Sequence, residues 1–147
     1  MRIKRGNGFT LIELLIVIAI MGIMADIAVP NFQTFMAQRR LNGAARQVMS
    51  DLMAARMQAI TQNRDVQVTF PTSEGASYTV DATGTPVVKN IQTLYGYYDV
   101  TVFSNNNPIF SPRGTATNLP RITLTNSRGP KYVTVAITGR EKITDTP

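Results

Sequence analysis

The chain has 147 residues, a formal net charge of +6, and neither cysteine nor histidine. That length holds one domain with a modest core, and the missing residue types exclude disulfides, thiolate chemistry, imidazole acid–base work and the usual zinc ligands. The carboxylates Asp51, Asp65, Glu74, Asp81 and Asp99 are scattered, with no close pair on one predicted face, so nothing points to an enzyme, a metal or a cofactor.

In chain order, the first element is a cationic leader, residues 1–8, with Arg2, Lys4 and Arg5. The 139 residues after it carry twelve Lys and Arg against nine Asp and Glu. That mild excess helps a polyanion bind without demanding one. About twenty mostly apolar residues follow, from Phe9 to Val29. As a helix rising 1.5 Å per residue they span a hydrocarbon core of about 30 Å. The leader's cations hold the N-terminus in the cytoplasm and leave the rest of the chain outside.

An ordinary secretory signal peptide fits less well. Its apolar stretch is shorter, and Ala25-Asp26-Ile27 and Asp26-Ile27-Ala28 each fail as a small-x-small cleavage site. A plain single-pass anchor explains the length but not Glu13, four residues into the apolar run. An ionisable group there costs a few kcal/mol unless paired. Cleavage before Phe9 would create a partner, a free α-amine, and one helical turn of stagger between subunits brings that amine to a neighbour's Glu13.

The run Gly8-Phe9-Thr10-Leu11-Ile12-Glu13-Leu14-Leu15 resembles the type IV prepilin signature. The resemblance implies a prepilin peptidase cutting between Gly8 and Phe9, N-methylation of Phe9, and docking through Glu13. It further implies storage in the bacterial inner membrane, then transfer by an assembly platform into a filament of other pilins, in the periplasm or at the cell surface. Asp26 departs from the pattern, where a small apolar residue is usual. Gly22 and Pro30 mark where filament subunits of this kind lose regular helix.

Pro30 removes a helix N–H and is expected to kink the rod. Beyond it Leu41, Ala45, Val48, Leu52, Ala55 and Ala59 recur at spacings of four and three, one apolar face of a second helical half. Asn63 is the expected stop, which makes the rod roughly 80 Å long. The period then changes to two, predicting strands at 66–70, 77–80, 87–91, 98–103, 121–125 and 132–138. The connection from Asp81 to Pro86 should close a hairpin. The expected fold is α+β: a long N-terminal helix, transmembrane then amphipathic, packed on an antiparallel, two-part sheet, the lollipop of a pilin. Its parts are a leader (1–8), a transmembrane or filament-core helix (9–30) and an extracellular or periplasmic globular domain (31–147).

The segment Ser50 to Ile60, then Asn63-Arg64, with Phe110-x-x-x-Gly114 and Thr138-Gly139-Arg140, is similar to the GspH/FimT family. That resemblance implies a minor pilin or a type II secretion pseudopilin, a low-copy subunit that primes or caps its filament; a major pilin is the alternative. The absence of cysteine agrees with the minor role, because many bulk pilins close a C-terminal loop with a disulfide. Some FimT-type pilins bind DNA in natural transformation through a C-terminal Gly-Arg-x-Arg. Here Gly139-Arg140-Glu141-Lys142 stands in its place, and lysine lacks arginine's bidentate fork. From Phe110 onward six cations (Arg113, Arg121, Arg128, Lys131, Arg140, Lys142) face two carboxylates. Arg140, Lys142, Arg128 and Lys131 are the candidate phosphate contacts. The plainer reading ends a strand at Gly139, leaves a solvated tail, and has Glu141 offset one charge. Tyr95, Tyr97 and Tyr98 are either base-stacking rings or core and loop packing.

Overall fold

A computed structural model describes residues 9–81 and 84–146, so the leader and part of the Asp81–Pro86 connection lie outside the described residues. Helix α1 runs Leu11–Gln62 with Pro30 inside it. Its start is set by Thr10, whose Oγ1 accepts the Glu13 N–H at 3.2 Å, an N-cap. Its stop is Asn63, at φ 50°, with the Arg64 N–H closing on the Ala59 carbonyl at 3.2 Å. Asparagine tolerates this left-handed cap better than most residues. The helix continues through Gly22 and Pro30, and the Asn31 side-chain amide donates to the Ile27 carbonyl at 3.1 Å.

The chain divides into two compact units, one through Phe35 and one from Met36. In the first, every residue of the helix up to Thr34 is exposed. In the second, Leu41, Ala44, Ala45, Val48, Leu52, Ala55 and Ala59 form a buried face, including all six residues of the sequence stripe.

That face packs on the nine strands of the described residues. A five-stranded sheet, ordered β3-β2-β1-β5-β6, consists of β1 (Val66–Thr69), β2 (Ser77–Asp81), β3 (Pro86–Asn90), β5 (Ile109–Phe110) and β6 (Ala116–Thr117). A four-stranded sheet, ordered β4-β7-β8-β9, consists of β4 (Thr101–Ser104), β7 (Arg121–Asn126), β8 (Gly129–Val135) and β9 (Glu141–Thr144). All strand pairings are antiparallel. Gly75 and Val102 join the sheets by reciprocal backbone hydrogen bonds of 3.1 and 2.8 Å. Alternation puts Val66, Val68, Tyr78, Val80, Val102, Ile122, Leu124 and Val133 into one core with the helix face. Burying a side chain such as Leu52 contributes about 2 kcal/mol.

Three expectations need correction. The last strand expected, 132–138, begins at Gly129 and stops at Val135. Residues 136–139 then turn, with Gly139 at φ 74°. The chain returns as β9, so the supposed tail is hydrogen-bonded to β8. The strand expected at 98–103 starts only at Thr101, because Tyr98 and Asp99 are held by Arg40. Strands β5 and β6, at two residues each, are too short to show a period.

Candidate functional site

Three places could do work: the N-terminal apolar segment, the outer face of the four-stranded sheet, and the polar contacts tying the helix to its loops. At the first, Phe9 is 83% exposed, whereas Gly8 lies outside the described residues. Thr10-x-x-Glu13 is a capping pattern that the pilin-like reading of Glu13 passed over. Glu13 sits in the first turn, where the helix dipole favours a negative charge. From Leu11 to Val29 no apolar side chain is covered, and this helix is long and apolar enough to cross a membrane. So much contiguous apolar surface marks a segment covered by lipid or by other subunits. Gly22 has open space around its Cα. Nothing in the structure explains Asp26.

At the second place, the candidate cations do not converge. Register places Arg121 opposite Thr134, and Thr134 opposite Lys142, so the two cations share one cross-strand row. Exposed Arg140 immediately precedes β9. Arg128 sits in the turn at the other end of β7 and β8, about 17 Å of strand away. Lys131 is paired with Asp145 at 2.7 Å. Sequence reading had counted Arg121 without placing it; the period-two pairing of β7 with β8 would have been the clue.

Glu141 does not offset its neighbours as expected. It opposes buried Val135, is itself buried, and leaves Oε1 without a hydrogen-bond partner among the described residues. Burial pushes its carboxyl pKa up.

Gly139 has a packing role instead. A Cβ there would lie 2.2 Å from the Gly114 carbonyl oxygen and 2.6 Å from Arg56 Nε. Arg56 donates from Nε to the Gly114 carbonyl at 2.8 Å and from Nη2 to the Thr138 carbonyl at 3.1 Å. One helix residue therefore clasps both glycine turns, which accounts for Phe110-x-x-x-Gly114 and Thr138-Gly139 standing together.

The third place holds two polar joints. Asp51 accepts from the Tyr78 hydroxyl at 2.5 Å and the Tyr95 hydroxyl at 3.4 Å. Lys89 Nζ lies 3.6 Å from its other oxygen. Burial, then the bond to Asp51, pushes the Tyr78 hydroxyl far above its ordinary range. The Tyr95 hydroxyl, then the Asp51 charge, holds Lys89 protonated. Nearer the start of α1, Arg40 grips Asp99 with two bonds of 2.6 and 2.9 Å and lies 4.5 Å over the Tyr98 ring. Asn126 bridges Asp99 to the Ala37 carbonyl. Arg40 holds the Asp99 carboxyl below its usual range. Tyr95 is thus held on Asp51 and Tyr97 against Gly43, while Tyr98 carries Arg40 over its ring and is otherwise 67% exposed. No cluster of metal-ligating side chains occurs among the described residues.

A capped apolar helix segment, and a second unit in which helix packs on two antiparallel sheets, define a type IV pilin-like subunit. The family model for the prokaryotic N-terminal methylation motif matches residues 3–25. That for type II transport protein GspH matches residues 44–139, and the chain belongs to the GspH family. A fimbrial protein of Pseudomonas aeruginosa is 39% identical over 80 residues, 54% of this chain and 51% of that protein. The type IV major pilin protein PilA of Myxococcus xanthus (strain DK1622) is 54% identical over 48 residues, 30% of this chain and 22% of that protein. The chain spans about half the length of the curated relatives it matches first. Among solved structures, the type IV minor pilin FimU of Pseudomonas aeruginosa (strain PAO1) superposes with a TM-score of 0.57. The alignment covers 75% of this chain and 92% of that one at 16% identity, a likeness of fold alone.

Proposed function

We propose that this chain is a minor pilin or pseudopilin of the GspH/FimT type, a low-copy subunit that primes or caps a type IV pilus or a type II secretion pseudopilus. The observation that carries the reading is the GspH match across the helix-and-sheet body, joined to an uncovered apolar segment that begins with Phe9. A prepilin peptidase hydrolyses the Gly8–Phe9 bond, and the new Phe9 amine is methylated. The cut subunit waits in the inner membrane, N-terminus on the cytoplasmic side. On extraction by the assembly platform, Glu13 meets the Phe9 amine of a neighbouring subunit. That pairing compensates a carboxylate which is otherwise costly in apolar surroundings. Gly22 and Pro30 supply the weak points at which the helix yields during packing.

Two substitutions test this. Glu13→Val leaves membrane insertion intact and lowers recovery in sheared filaments by about tenfold or more, the loss expected of one well-placed charge pair. Gly8→Val leaves uncut precursor in the membrane. Normal incorporation of either variant would remove the docking or the processing account respectively.

A second reading, a pilus-associated DNA receptor, draws support from one observation: Arg121 and Lys142 share one cross-strand row at the end of the sheet where exposed Arg140 precedes β9. A major pilin would instead have to polymerise by itself into long fibres.

A further inference from the structure

The helix surface just beyond Met36 carries a cleft that the assembly reading does not use. It is an open recess of about 540 Å³ lined by Met36, Arg39, Arg40, Asn42, Gly43, Arg46 and Tyr97. Arg39, Asn42, Gly43 and Arg46 stand three, four and seven positions apart, so they share one helical face. No carboxylate is among the lining residues, and the groups presented are donors.

Arg40, Arg46, Asn42 and Tyr97 differ in what already engages them. Arg40 is committed to Asp99. Arg46 is exposed, and no ion pair or hydrogen bond engages it among the described residues. The Asn42 side chain uses its oxygen to accept from Gln38 at 3.5 Å, which leaves its N–H groups for another partner. The Tyr97 ring is fixed against the helix backbone, since a Cβ on Gly43 would lie 2.8 Å from the ring and from its hydroxyl. Glycine at 43 is what lets that hydroxyl reach the cleft floor.

We propose that this cleft binds a phosphate group, with Arg46 as the charged contact and Asn42 and Tyr97 as neutral donors. Guanidinium forks match phosphate oxygens in geometry and charge. The volume exceeds what a bare phosphate needs and suits a phosphodiester carrying a small polar headgroup. The sequence puts such groups nearby. The apolar stretch ends at Val29, ten residues before Arg39, and the intervening Phe32 and Phe35 are exposed, as aromatic side chains at a membrane–water interface are. An anionic phospholipid is therefore the favoured source, and soluble phosphate the other.

The test uses the full chain in phosphatidylcholine nanodiscs with isotope-labelled arginine, following the Nε resonances of Arg39, Arg40 and Arg46. Three probes are compared: nanodiscs containing phosphatidylglycerol, inorganic phosphate, and acetate. The expected result is a saturable shift at Arg46 with phosphatidylglycerol, and little at Arg40. Arg46→Gln weakens the response by about tenfold and Arg46→Lys by less, in line with the loss of one charge-assisted contact. Saturation by inorganic phosphate without phosphatidylglycerol still supports the phosphate site and assigns it to a soluble ligand. Three results overturn it: no saturable shift with either phosphate source, an equal response to acetate, which makes it a carboxylate site for a partner protein, or unchanged affinity in Arg46→Gln.

Discussion

Asp51 and Glu141 are both buried carboxylates, and their surroundings differ in a way that decides what each does for stability. Asp51 receives two tyrosine hydroxyls and faces the Lys89 ammonium, so its charge is compensated. Glu141 has an orphaned oxygen, and only a backbone N–H and then the Arg56 charge favour its charged form. Its folded pKa is raised, so between the unfolded value near 4.5 and the higher folded value the native state binds more protons than the unfolded chain. Stability from this group is therefore lost as pH rises through that window, and the penalty is constant above it. Glu141→Gln should stabilise the protein at pH 7 by about 1 kcal/mol, the lower end for a buried unpaired group because a backbone N–H and Arg56 offset part of the penalty. The gain should vanish below pH 4. Denaturant titrations of both proteins at the two pH values check this, and their difference cancels the opposite trend from Asp99. A gain that persists at acid pH would mean that burial of the charge is not the cause. Sequence reading found neither side-chain environment, because Asp51 meets Tyr78 and Tyr95 only when residues 27 and 44 positions further along the chain fold back.

At the scale of elements, the helix declared itself in the sequence and the sheet did so unevenly. Six apolar residues at helical spacing fix the buried face of α1 whatever follows, and Asn63 ends it by its own tolerance of positive φ. Strand β9 was hidden because a charged four-residue segment reads as tail until its pairing with β8 is known. The same pairing turns Gly139 from half of a binding motif into a packing residue. Gly139→Ala meets both the Gly114 carbonyl and Arg56, and it adds the left-handed penalty of about 1 kcal/mol. Displacing the Arg56 hydrogen bonds costs a further ~2 kcal/mol, so the loss should be about 3 kcal/mol. Gly84 supplies the control, because it has a similar φ of 77° but open space where a Cβ would go. Gly84→Ala should therefore cost only about 1 kcal/mol. Equal losses at the two sites, by chemical denaturation, would remove the collision with Arg56 as the explanation.

For the whole molecule, the question is whether the basic C-terminal region acts as a surface or only keeps the protein soluble. Six cations after Phe110 look from the sequence like one patch, yet folding separates them. Lys131 is neutralised by Asp145, Arg128 sits at one end of the sheet, and Arg121 and Lys142 share a row at the other, where Arg140 precedes β9. Local charge counting cannot see that separation, since it depends on strand register. If the DNA-receptor reading holds, the full chain in detergent binds DNA with log affinity falling against log salt at a slope of about −2 to −3, for three phosphates neutralised. Arg140→Gln/Lys142→Gln should leave a slope near −1, while Arg128→Gln/Lys131→Gln should leave binding unchanged. Electrophoretic mobility or fluorescence anisotropy across a salt series measures all three proteins. Binding indifferent to residues 140 and 142, or absent at low salt, would leave Arg140 and Lys142 as solvated edge charges. The chain would then do its work through the apolar helix and the faces of its sheets.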